Sequence, residues 1–142
     1  MTTHSPITST VEYKGSLRTQ ALHLQSNNKI ITDAPVDNHG KGEAFSPTDL
    51  LATSLASCML TIIGIKAADM HIDVIGTKAE VTKTMAAAPR RVSQINVDIY
   101  FSIDLDERAK NILEAAAYTC PVAKSIHPDI VQEVTFYYPA EA

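Results

Sequence analysis

Apolar and polar positions alternate along the first third of the chain at the period of a half-buried strand, with Ile7, Ser9, Val11 and Tyr13 set against polar neighbours. Gly15-Ser16 supplies a tight turn, residues 17–24 return as a second strand, and Asn27-Asn28 opens a third short strand through Ile30 and Ile31. Between residues 33 and 45 the pattern dissolves into Pro, Asp, Asn and His around Gly40 and Gly42, which is loop chemistry. Ser46-Pro47-Thr48-Asp49 then reads as a helix start. Ser46 can accept from the exposed amides, Pro47 suits the first turn, and Asp49 favours the positive end of the dipole. The helix should run to about Asp69. Leu51, Leu55, Cys58, Ile62 and Ile65 follow a 4-3-4-3 spacing, while Ala52, Ala56, Met59 and Ile63 cover a second face. A helix apolar on two faces must be covered on several sides.

Further on, residues 72–85 read as a strand or bent ribbon broken at Gly76, residues 86–89 as a loop, and Ile95, Val97, Ile99, Phe101 and Ile103 alternate as a second strand antiparallel to the first. Asp104 with Glu107 predicts a capping box. The second helix then turns Leu105, Ala109, Ile112 and Ala116 inward and stops near Thr119. Pro121 can begin but not continue a helix, so residues 121–125 form a short helical turn closed by His127-Pro128, and residues 130–138 are a final strand. Strands grouped around helices, rather than alternating with them, argue for an α+β class with antiparallel sheets packed around long central helices. No linker divides the chain, so a single domain over residues 1–142 is expected. One chain of this size has few strands to cover both faces of the long helix, which predicts an obligate, domain-swapped homodimer.

Composition narrows the function classes. A hydrophobic share of 45% with 20% charged residues excludes bulk disorder and fibrous repeats. Twelve Lys and Arg against sixteen Asp and Glu leave no basic footprint for nucleic acid or anionic lipid. Met1-Thr-Thr-His-Ser-Pro lacks a basic stretch followed by an apolar run, so a cytoplasmic location is expected. Residues 50–65 carry no charge but are interrupted by Thr53, Ser54, Ser57, Thr61 and Gly64, which reads as a buried helix too short and too polar for a membrane span. His4, His23, His39, His71 and His127 are scattered without ligand spacing, and Gly40 and Gly42 form no phosphate loop, so neither a metal nor another cofactor is expected.

Cys58 and Cys120 are too few for a disulfide scaffold, and in a reducing compartment such a pair is catalytic, redox-active or simply buried. Taken alone, Cys58 reads as an inert core thiol, mid-helix, needing a cation from elsewhere in the fold to react. Cys120 precedes Pro121 at the start of the short helical turn, where unpaired amides favour a thiolate, and it reads as the better reactive candidate or as a mere cap.

Ser46-Pro-Thr-Asp-Leu-Leu-Ala-Thr-Ser-Leu-Ala-Ser-Cys58, followed by Thr119-Cys-Pro-Val-Ala-Lys-Ser125, resembles the OsmC/Ohr family of hydroperoxide-reducing proteins, in its general OsmC-like branch. The resemblance implies an intertwined homodimer with two active sites at the subunit interface. It also implies that Cys58 is the peroxidatic cysteine, attacking the O–O bond of a small organic hydroperoxide. Cys120 then resolves the sulfenic acid, and a dithiol reductant restores both thiols. In the family an arginine lowers the thiol's affinity for its proton, and a glutamate ten residues before the first cysteine holds that arginine. Here that position is Thr48, so weak activity is expected, with Glu43, five residues upstream, as the nearest substitute. Arg18 sits where several family members carry the arginine, whereas Arg90 and Arg91 read as solvated. A non-catalytic relative binding a small hydrophobic molecule in the dimer-interface cleft is the competing reading.

Overall fold

The computed structural model describes residues 6–141, so His4 and the N-terminal pentapeptide lie outside the described residues. The chain forms two compact units, Met1–Leu50 and Leu51–Ala142, each with its own three-stranded sheet.

In the first unit β1 (Ser9–Gly15), β2 (Arg18–His23) and β3 (Lys29–Asp33) pair antiparallel in that order. The β1–β2 turn takes Gly15, Ser16 and Leu17 through positive φ, where glycine alone is unstrained. The register sets Val11, Ala21 and Ile30 in one cross-strand row and Tyr13, Thr19 and Thr32 in the next, all on one face. The apolar side chains of that face are exposed: Val11 is 65%, Tyr13 64% and Ile30 47% exposed. The buried residues described in this unit are Thr32, Asp33 and Ser46, all polar. It therefore has no apolar core of its own, which a three-stranded sheet requires for independent stability.

The loop after β3 folds back on itself, with a single 3-10 turn at Val36–Asn38. The Gly40 amide donates to the Pro35 carbonyl at 3.0 Å, and the Asp33 amide donates to that of Phe45 at 3.1 Å. The long helix α1 (Pro47–Asp69) opens with a reciprocal box in which the Asp49 amide donates to Ser46 Oγ and the Ser46 amide donates to Asp49 Oδ2, each at 3.0 Å.

The second unit contains the rest of α1 with β4 (Lys78–Ala87), β5 (Arg90–Tyr100), α2 (Glu107–Ala117), α3 (Pro121–Ser125) and β6 (Val131–Tyr137). Its sheet has the order β4-β5-β6. The α+β class stands, but the sheet is not purely antiparallel. β6 runs parallel to β5 because the intervening α2–α3 crossover carries the chain back to the end where β5 began. β4 also departs from expectation: residues 71–77 are turn and loop, and the strand begins at Lys78 and extends to Ala87, leaving only Ala88-Pro89 as the hairpin turn. Asp106, not Asp104, caps α2, accepting from the Ala109 amide at 2.8 Å. Asp104 accepts instead from the Ala140 amide.

The core joins Ala52, Leu55, Ala56, Met59, Ile63 and Ala67 of α1 to Val92, Ile95, Val97 and Ile99 of β5 and to Leu113 and Ala117 of α2. A bulge opposite Thr84/Met85 shifts the parity of β5, which is how Val92 joins the inward row of Ile95, Val97 and Ile99. The inward stripe of α1 is thus the one begun by Ala52, while Ile65 of the 4-3-4-3 row is 58% exposed. In α2 the stripe is likewise Ala109–Leu113–Ala117, and Ile112 and Ala116 border an open groove with Ile62 and Ile65. By length and composition alone α1 is long and apolar enough to cross a membrane, contrary to the sequence reading, but its Ala52 stripe packs in this core. Leu113 is fully buried, so Leu113→Ala is expected to cost about 2–5 kcal/mol of unfolding free energy in denaturant titrations. A loss within experimental error would contradict this core assignment.

Candidate active site

Two clusters carry the residues singled out in the sequence. In the second unit α1 presents Cys58 half-buried against the core, and Cys120 sits at the N-cap of α3, fully buried. Although 62 positions separate them in the chain, the two thiols are neighbours close enough for Cys58 to act on the Cys120 thiol, and both are free. Cys120 is held by local structure. Its backbone is extended (φ −63°, ψ 141°), Pro121 starts the helix, and its Sγ accepts from the Ala123 amide at 3.3 Å. Gln132 of β6 fixes the same turn by donating to the Ala123 carbonyl at 3.0 Å.

The amides at this cap do not win. Burial pushes the Cys120 thiol up, the hydrogen bond from Ala123 pulls it down by less, and the neighbouring Cys58 adds to the rise. The expectation that unpaired amides favour a Cys120 thiolate is corrected on that ground: burial outweighs them. Cys58 is the one with surface open to a small reactant.

The first unit holds Arg18. It opens β2 directly opposite Asp33, the last residue of β3. Arg18 Nε donates to Asp33 Oδ1 at 2.7 Å and Nη2 to Oδ2 at 2.8 Å, a two-point fork. The Glu43 backbone amide adds a third donor to Asp33 Oδ2 at 3.1 Å. Asp33 is 1% exposed, whereas the Glu43 carboxylate is 63% exposed and stands 3.6 Å from Arg18 Nη2. Glu43 therefore lies within ion-pair reach of Arg18, but the group that grips the guanidinium is Asp33. Sequence reasoning missed it because the search for a carboxylate was confined to the neighbourhood of Thr48. The available signal was an aspartate closing the apolar run Ile30-Ile31-Thr32, opposite an arginine in a predicted hairpin. Thr48 lies in the first turn of α1, its Oγ1 3.2 Å from Ser46 Oγ. Arg90 and Arg91 open β5, and Arg91 donates to the Val92 carbonyl.

The Arg18 guanidinium holds the Asp33 carboxyl below the usual carboxylate range, with the Glu43 amide and Lys41 acting in the same direction and burial opposing them. A carboxyl with a depressed folded-state value stabilises the fold fully above the unfolded value of about 3.9 and loses that contribution as pH falls through the folded value. Wild-type protein is therefore expected to lose thermal stability below about pH 4 more steeply than Asp33→Asn. Superimposable acid limbs in melting temperature against pH would contradict the charged fork.

Among the described residues no group of three or more His, Cys, Asp and Glu is placed to hold a metal ion. Residues 40–135 match the family model for OsmC-like protein, and the chain belongs to that family. It is 66% identical to a candidate osmotic stress induced and detoxification response protein of Psychrobacter arcticus 273-4, covering 96% of this chain and all of that one, with a TM-score of 0.93. An organic hydroperoxide resistance protein OsmC of Legionella pneumophila shares the fold at 17% identity and a TM-score of 0.73, over 94% of this chain and 99% of its own. An OsmC-like protein of Mycoplasma pneumoniae does so at 17% and 0.75, over 96% and 99%. No curated protein matches the chain.

Proposed function

We propose that this protein is a cytoplasmic, thiol-dependent reductase of organic hydroperoxides, working as a homodimer. The observation that carries the reading is the nearness of a half-buried Cys58 to a buried Cys120. Membership of the OsmC-like family and the hydroperoxide resistance of the Legionella relative support it.

The Cys58 thiolate attacks the terminal peroxide oxygen. An S–O bond forms as the O–O bond breaks, and the alkoxide takes a proton and leaves as the alcohol, so the peroxide is reduced and sulfur oxidised to a sulfenic acid. Cys120 sulfur then attacks the Cys58 sulfur, hydroxide departs with the Cys120 proton as water, and a disulfide remains. A dithiol reductant restores both thiols by exchange, ending as its own disulfide. Arg18 is the cation assigned to favour the Cys58 thiolate and the departing oxygen, with Glu43 beside it. Exposure orders the steps, because a peroxide can reach Cys58 while Cys120 is closed off until its neighbour is oxidised.

The apolar stripe around Cys58 favours a hydrophobic tail, so an alkyl hydroperoxide should be consumed faster than hydrogen peroxide in the presence of a dithiol. Equal second-order rate constants for the two would remove the substrate class, and no consumption of either would remove the activity.

A further inference from the structure

We infer that Gln132 is a positioning residue for the resolving step: by holding the Ala123 carbonyl it keeps the short helix α3 wound, so that the Ala123 amide stays on Cys120 Sγ and the sulfur stays set for attack on its oxidised neighbour. The inference rests on the reading of Cys120 as the resolving cysteine and goes beyond it in saying what holds that cysteine ready.

Three observations carry it, all within the second unit. First, Gln132 breaks the pattern of its strand. The half-buried positions of β6 are Gln132, Val134 and Phe136, paired in register with the fully buried Ile95, Val97 and Ile99 of β5. Val134 and Phe136 pack against the core, as that row requires, whereas a carboxamide in the same row costs free energy unless it is hydrogen-bonded. It is bonded, since Nε2 donates to the Ala123 carbonyl at 3.0 Å. A polar side chain on a core-facing row marks a place where packing yields to a specific contact.

Second, α3 has five residues, too few for its own backbone to hold it as a helix in water. Its backbone bonds are long, 3.3 Å from the Lys124 amide to the Cys120 carbonyl and 3.2 Å from the Ile126 amide to that of Val122. Gln132 fastens the middle of this turn to the sheet. Third, Ala123 is held on both sides, its carbonyl by Gln132 and its amide by Cys120 Sγ at 3.3 Å. That amide, with the amide of Val122, draws the Cys120 thiol down against the opposing effects of burial and of Cys58.

This gives opposite signs for one substitution. If α3 had to unwind to release Cys120, loosening it would speed disulfide formation. If the wound turn holds Cys120 ready, loosening it slows the step in which the S–S bond forms, the S–O bond of the sulfenic acid breaks, and the departing hydroxide takes the Cys120 proton to leave as water. The test gives the full-length protein one equivalent of an alkyl hydroperoxide and times the appearance of the Cys58 sulfenic acid and then of the disulfide in wild type, Gln132→Leu and Gln132→Asn. Leucine suits the apolar row and has no donor, while asparagine keeps the donor on a side chain one carbon shorter. The midpoint of the Cys120 alkylation profile against pH is recorded for each in a Cys58→Ser background. In Gln132→Leu disulfide formation should slow about tenfold, the scale of one neutral hydrogen bond, with sulfenic acid formation within about twofold of wild type and the alkylation midpoint raised. Gln132→Asn should fall between the two. Disulfide formation at or above the wild-type rate, equal slowing of both steps, or an unmoved midpoint overturns the inference. Should Gln132→Leu not fold, Gln132→Asn carries the test alone: a slowed disulfide step supports the inference and a wild-type rate overturns it. Wild-type protein that formed no Cys58–Cys120 disulfide would defeat the peroxidase reading itself, and the inference with it.

Discussion

Cys58→Ser is expected to abolish turnover of an alkyl hydroperoxide with a dithiol reductant, a loss of at least about 10³-fold, while the fold is retained. Serine occupies the same half-buried position on α1 and leaves the Ala52–Met59–Ile63 stripe untouched. Its hydroxyl cannot supply the polarisable sulfur anion that accepts oxygen. Cys120→Ser should behave differently, because Cys120 enters only after the first oxygen transfer. The first equivalent of peroxide should be consumed at close to the wild-type rate, the Cys58 sulfenic acid should accumulate and be trapped by a carbon nucleophile, and sustained turnover should fail for want of the disulfide. If Cys58→Ser consumed hydroperoxide at the wild-type rate, Cys58 would not be the nucleophile, and the ligand-binding reading would take its place.

The second large effect concerns assembly. Val11, Tyr13 and Ile30 form an apolar face on a sheet that buries nothing apolar of its own, and Ile65 stands exposed on the outer side of α1. Monomeric proteins seldom leave such contiguous apolar surface in water, and a second copy of the chain is the proposed cover. Sedimentation at micromolar concentration should therefore report about twice the 15.4 kDa chain mass. Val11→Asp combined with Ile30→Asp places two charges in one cross-strand row and should drive the protein to monomer or to a partly unfolded first unit. A stable, fully folded monomer of the wild-type chain would remove the dimer from the account.

The local grammar of the sequence was largely legible. The alternating first strands, the Ser46 helix start, the Pro121 turn and the Ile95–Val97–Ile99 row each rest on one short pattern with a direct physical cause. What failed depended on tertiary context. α1 is apolar on two faces, so spacing alone could not say whether the Leu51–Cys58–Ile65 row or the Ala52–Met59–Ile63 row faces the sheet. The direction of β6 followed from the α2–α3 crossover, which pattern reading does not orient. Asp104 and Asp106 are both plausible caps two residues apart, and only the turn entering α2 chose between them.

For the site, the two cysteines were singled out as candidates from their motifs, but their nearness required the fold, since nothing in a separation of 62 residues brings two thiols together. The carboxylate that grips Arg18 was missed for a related reason. A cross-strand partner is defined by register, and register placed Asp33 opposite Arg18 while Thr48 went to the helix cap.

The most direct measurement of the central claim is a titration of fully reduced protein with one equivalent of an organic hydroperoxide, followed by thiol counting and peptide mapping. The account predicts that both free thiols disappear together, that one equivalent of alcohol is released, and that a single intrachain cross-link joins the peptides containing Cys58 and Cys120. Two thiols surviving alongside intact peroxide, or a cross-link to any other partner, would contradict it.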